Sequence, residues 1–152
     1  MRPHLTRNRI IFLSRSSDAL PCPASITPGV EYRQVDNGYR VPVAEDDRIR
    51  TGLATQLIAL SVGVPVDAIT ARERLGLKAC RARWLAMYLA HVGFGWPLER
   101  VGHAFGLNRA TAGVACRWAE DARDDAAIDA LLDRLEVILR DLGEAPRLEL
   151  AA

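Results

Sequence analysis

Residues 98–117 read Leu98-Glu-Arg-Val-Gly-His-Ala-Phe-Gly-Leu-Asn-Arg-Ala-Thr-Ala-Gly-Val-Ala-Cys-Arg117, and this stretch decides the fold. Pro97 stands just ahead of it, at a helix start, where its missing N–H costs nothing. Leu98, Val101 and Phe105 line a short helix, and Gly106 follows at the position where a left-handed residue often ends one. Asn108 is then placed to cap a second helix, running to about Arg123. Gly102 faces the junction, where a side chain would push the two helices apart. Val101, Phe105, Leu107, Ala112 and Ala115 supply the apolar contact between them. The spacing predicts a helix-turn-helix in which Asn108, Arg109 and Thr111 point away from that contact, as the residues of a DNA-reading helix must.

Outward from this centre the pattern stays helical. Leu85, Leu89 and Val92, joined by Ala82 and Ala86, mark one face of a helix over 79–92, which Gly93 and Gly95 end. Before it, Thr70 to Lys78 read as a basic connector, and Val66 to Ala71 as one short helical turn. Ile49, Leu53, Leu57 and Leu60 follow helical spacing from Asp47, with Ala54 and Ile58 widening the face, and stop at Gly63 and Pro65. On the C-terminal side Asp124-Asp125 recap the chain. Ile128, Leu131, Leu135, Ile138 and Leu142 then give a helix over 126–142, terminated by Gly143 and Pro146. Leu132 and Leu139 widen its stripe beyond a narrow coiled-coil seam, so it is expected to pack within the domain. Residues 1–46 differ: they hold five of the eight prolines and no helical period. Asp36-Asn37-Gly38 between Val30–Val35 and Tyr39–Val43 is a hairpin cue. The expectation is an all-α domain over 47–142, preceded by an N-terminal arm with a β-hairpin (1–46) and followed by a tail (143–152).

Charge is polarised along a chain whose net charge is only +1. Between Arg72 and Arg117 eight basic residues face two acidic ones, Glu73 and Glu99. From Asp124 to Glu149 eight acidic residues face three basic ones. The basic section coincides with the helix-turn-helix, as a phosphate-binding face requires. Lys78 is the only lysine among 20 basic residues, which favours bidentate arginine contacts to phosphate and guanine. No apolar run of about 18 residues exists, so no membrane span is expected. Nor is there a GxxxxGKS-type phosphate loop or a GxGxxG, so nothing is equipped to bind and hydrolyse a nucleotide. Three cysteines, Cys22, Cys80 and Cys116, without a CxxC, predict neither a disulfide framework nor a structural zinc site. No nucleophile, base and orienting group converge, so an enzyme is not expected. No cofactor is called for, and the cytoplasm, on the nucleoid, is the expected location.

Several blocks carry a resemblance. Arg81-Ala-Arg-Trp-Leu-Ala-Met-Tyr-Leu-Ala90, Leu98-Glu-Arg-Val-Gly-His-Ala-Phe-Gly106 and Ala115-Cys-Arg117 resemble the C-terminal DNA-binding domain of the bacterial replication initiator DnaA, over roughly residues 47–142. The ATPase part of an initiator is absent, which implies a stand-alone DNA-binding regulator. Trp118-Ala-Glu-Asp-Ala-Arg-Asp-Asp125, Ile128-Asp129 and Leu135-Glu136 are similar to the GafA/GafY type of alphaproteobacterial activators of gene transfer agent genes. The resemblance implies that Arg81 enters a minor groove, that Arg83 and His91 contact phosphates, and that Asn108, Arg109 and Ala110, with Thr111, stand where the family reads major-groove bases. Lys78 and Arg117 join the phosphate-facing set by charge. The family's Asp-His-Thr-Thr is here Asn-Arg-Ala-Thr, with one residue fewer after Gly106, so a different target site is expected. A single domain contacts few bases. RNA polymerase, a sigma-like factor or a DNA-bending protein is therefore an expected partner. The alternative is a protein-binding module that docks on polymerase, a sigma factor or the initiator, with the basic face incidental.

Overall fold

The computed structural model describes residues 42–72, 75–146 and 148–150. These form six α-helices and no strand: α1 (Glu45–Val62), α2 (Val66–Thr70), α3 (Leu77–Gly93), α4 (Leu98–Ala104), α5 (Arg109–Ala122) and α6 (Ala126–Glu144). Most of the expected arm, including the Asn37-Gly38 turn, lies outside the described residues. Pro42 to Ala44 lead directly into α1 without regular structure.

α3 is the axis around which the other helices pack. Its Ala82, Leu85, Ala86 and Leu89 join a core with Ala54 and Ile58 of α1, Ile69 of α2 and Leu132, Leu135 and Leu139 of α6. Its Cys80, Trp84, Met87 and Ala90 join a second core with Trp96, Val101 of α4 and Ala112 and Ala115 of α5. A helix apolar on both sides belongs in the interior. Helical spacing marks the Leu85–Leu89 side; Cys80, Trp84, Met87 and Ala90 form a second apolar side opposite it. Where α3 ends, a Cβ on Gly93 would stand 3.0 Å from Leu139 Cβ; glycine lets α6 approach closely here.

α1 and α6 each correct an expected face. Ile49 and Leu60 are exposed, whereas Ala54, Thr55 and Ile58 are buried. The widening residues Ala54 and Ile58 are thus the centre of the stripe that meets α3, with Leu53 and Leu57 packed beside them, and only Ile49 and Leu60 fall outside it. Buried Thr55 satisfies its hydroxyl inside the helix, donating to Thr51 O at 2.8 Å. In α6, Leu132 and Leu139 are the buried centre, with Leu135, while Ile138 and Leu142 are exposed. The helix also continues through Gly143 to Glu144. Asp125 starts it as expected, accepting from Ala127 N–H at 2.8 Å and Ile128 N–H at 3.3 Å. No helix among the described residues is long and apolar enough to cross a membrane.

Candidate nucleic-acid interface

α4 and α5 are joined by the short turn Phe105–Asn108. Gly106 takes φ +69°, the left-handed conformation that glycine adopts without a steric penalty. Leu107 N–H donates to Gly102 O at 2.7 Å, closing the turn. A Cβ on Gly102 would lie 2.8 Å from both the C and O of Asn108. Backbone therefore rests on backbone, and glycine sets the angle at which α4 meets α5. Val101, Ala112 and Ala115 are fully buried in this contact, with Phe105 and Leu107 packed at its edge.

Asn108 caps α5. Its Oδ1 accepts from Thr111 N–H at 2.8 Å and from the Thr111 hydroxyl at 2.9 Å. Reading adenine needs the amide oxygen and nitrogen of asparagine together, and here the oxygen is already committed. The cap is thus the role the geometry supports for Asn108 and Thr111, leaving Arg109 and Ala110, both exposed, as the tip residues outside the cap. The first turn of α5 carries no acidic residue of its own, so the positive end of its dipole meets no charge from within the helix. One carboxylate reaches it from α4: Glu99 Oε1 lies 2.8 Å from Arg109 Nε.

The other candidate residues divide into two groups. Lys78 is exposed in the first turn of α3, with Nζ 3.4 Å from Gly63 O. Arg81, one turn on, lays its guanidinium over Trp118, 5.8 Å from the ring centroid. Trp118 in turn meets buried Trp84 edge-on, with centroids 5.4 Å apart. This ring pair carries Arg81 on a rigid base beside α5. Arg117, next to Trp118, is exposed. Lys78, Arg109 and Arg117 are thus exposed and Arg81 half-buried, two of the four on α3 and two on α5.

Arg83 and His91 are held elsewhere. Arg83 Nε–H donates to Ile69 O at 2.6 Å, and Nη2–H to Ala71 O. These are carbonyls at the end of α2, which have no intrahelical partner; the guanidinium fastens α2 to α3, against the expected phosphate contact. Burial lowers its pKa. His91 Nδ1–H donates to Trp96 O at 2.6 Å, a carbonyl being able only to accept. Nε2 of the neutral ring is then an acceptor, so the expected phosphate contact is open only to the protonated ring. Arg100, counted in the basic surplus, forms a bidentate pair with buried Asp47 of α1, Nη2 to Oδ1 at 2.7 Å and Nε to Oδ2 at 3.1 Å. Its guanidinium also sits 4.4 Å from the Trp96 centroid. The Arg100 hydrogen bond holds the Asp47 carboxyl below its ordinary pKa, although burial opposes it.

Glu99 is the site residue that sequence reasoning missed. It enters only through the crossing of α4 and α5, and no spacing rule joins residues across such a turn. Of the cysteines, Cys116 is a buried free thiol, its pKa pushed up to about 11 by burial first and the Glu120 charge second. Comparison with known proteins gives no match to any family model, curated protein or solved structure.

Proposed function

We propose that this chain is a sequence-specific double-stranded DNA-binding domain of helix-turn-helix type that regulates transcription. The N-terminus of α5 enters the major groove, with Arg109 on base edges, while Lys78, Arg81 and Arg117 lie along the phosphates and the adjacent minor groove. The carrying observation is the exposed Arg109 at the tip of a helix whose cap is satisfied internally and whose crossing with α4 is fixed at Gly102. A helix tip fixed in this way, on a pair of helices that carry three more cations, suits backbone positioning plus base reading. The assignment of faces to grooves, an activating role and the gene transfer agent context rest on the sequence resemblance. On this reading the chain binds and performs no reaction.

A salt-titrated gel shift with genomic fragments tests the proposal. Retardation should weaken steeply with salt, with a log–log slope of about −3 for three to four neutralised phosphates. No retardation at low salt would overturn it in favour of a protein-docking module. Genome-wide immunoprecipitation of the tagged protein then reads out the targets.

A further inference from the structure

We propose that α6 is a self-association surface, pairing antiparallel with α6 of a second copy about a twofold axis that passes between Val137 and Ile138. The proposal does not depend on the DNA-binding reading. Beyond the stripe buried against α3, α6 leaves Val137 at 51%, Ile138 at 41% and Leu142 at 53% exposure. At 100° per residue these share one side of the helix with Ala127, Ala130, Arg134 and Asp141, offset by roughly a third of a turn from the buried stripe. All of these four are exposed. Two are alanines, which allow another helix to come close.

The charges on this side are what name the occupant. Asp129, Asp133 and Glu136 stand on the other flank, where Arg123 binds all three. Arg140 and Glu144 fall outside this side, towards Asp133. Arg134 and Asp141 remain within it, one of each sign and two turns apart. They lie at equal distances either side of the point between Val137 and Ile138. In an isologous contact residue i meets j and j meets i. An antiparallel pair centred there sets each Arg134 opposite the other copy's Asp141, twice over, and each Val137 against Ile138. A parallel pair would oppose Arg134 to Arg134 and Asp141 to Asp141, which is unfavourable. The surface is complementary to itself in one orientation. Lys78, Arg81, Arg109 and Arg117 lie on other helices, so both copies keep their cationic faces free of the contact.

One helix face is at the small end of specific interfaces, so the dimer should be weak and concentration-dependent. Sedimentation equilibrium of the full chain from about 1 µM to about 1 mM should show the mass rise from 16.7 kDa towards twice that value. Arg134→Asp alone and Asp141→Arg alone should each hold it at the monomer mass by opposing like charges. The double variant R134D/D141R should restore the dimer. Thermal melts followed by circular dichroism verify that each variant stays folded, as expected for exchanges at exposed positions. A wild-type chain that stays monomeric throughout, or a dimer indifferent to the single reversals, would overturn the proposal.

Discussion

The two ends of α5 carry arginines in opposite circumstances. At the C-terminal end Arg123 has a side chain only 23% exposed and binds Asp129 through Nε at 2.8 Å, Glu136 through Nη1 at 2.6 Å, and Asp133 through Nη2. Nη1 also reaches the Tyr88 hydroxyl at 3.2 Å. Burial disfavours its charge, but the hydrogen bond to Glu136 and the surrounding carboxylates outweigh burial and raise its pKa. At the N-terminal end Arg109 is 70% exposed and meets one carboxylate, Glu99, itself 62% exposed. An exposed pair of this kind contributes about 0–1 kcal/mol, so Arg109 can leave it for a better partner. One arginine ties α3, α5 and α6 together; the other waits at the surface. Counting positive charges cannot distinguish them, because the distinction lies in how many acceptors the fold brings to each.

The sharpest way to break this contrast is to remove each arginine and measure folding and binding separately. Arg123→Met leaves Glu136, Asp133, Asp129 and Tyr88 without their common donor, and should cost about 2–3 kcal/mol in urea denaturation. The affinity of the folded fraction for DNA should be untouched. A loss below about 1 kcal/mol would mean that the cluster is a surface ornament and the contrast is void. Arg109→Ala should do the reverse: stability within about 0.5 kcal/mol of wild type, and specific binding weaker by about 1–3 kcal/mol in gel-shift titrations. An Arg109 variant that unfolds early and binds normally would place both arginines in the same structural class.

What the sequence reveals of this arrangement is its local chemistry. The Asn108 and Asp125 caps, the Gly106 turn and the Gly102 contact are each specified within a few residues, by amide and carboxylate acceptors or by glycine's missing side chain. Long-range commitments are hidden. Arg100 finds Asp47 on α1, far along the chain, and Arg83 finds carbonyls of α2; in the sequence both look like members of the basic patch. The burial of Asp47 is equally silent, since it stands among exposed Glu45, Asp46 and Arg48. Periodicity marks that α1 and α6 are amphipathic, yet it cannot rank adjacent stripes. The choice between Ile49 and Ala54, or between Ile138 and Leu139, is made by the shape of α3.

Arg100 sits between the two extremes of α5, half-exposed itself but paired to a buried carboxylate. Asp47→Asn keeps the size and loses the charge, and should cost about 1 kcal/mol at neutral pH. The sign with pH follows from the depressed Asp47 pKa. The stabilisation is fully present above the unfolded value near 3.8 and is lost as pH falls through the lower folded value. The gap between wild type and variant should therefore close as pH is taken from about 5 to about 2 in denaturation series. A gap that stays constant would mean that Arg100 contributes through its stacking on Trp96 rather than through the ion pair.

The smallest and most discriminating change is Glu99→Gln, which touches only the loosely held end of α5. Glu99 does two things to Arg109. It holds Nε, leaving the terminal nitrogens of the fork turned elsewhere, and it sets a negative charge near where a phosphate backbone would run. Removing the charge should raise affinity for random-sequence DNA by several-fold, about 1 kcal/mol at most. Loosening the fork should lower the preference for the target over random sequence, because bidentate reading of guanine depends on a fixed orientation. The two effects oppose one another on the target, so affinity there should barely move while the ratio falls. Competition gel shifts with target and random duplexes at two salt concentrations separate them. If both affinities rise together and the ratio holds, Glu99 acts as a charge alone, and the orientation of Arg109 is set by the helix rather than by its neighbour.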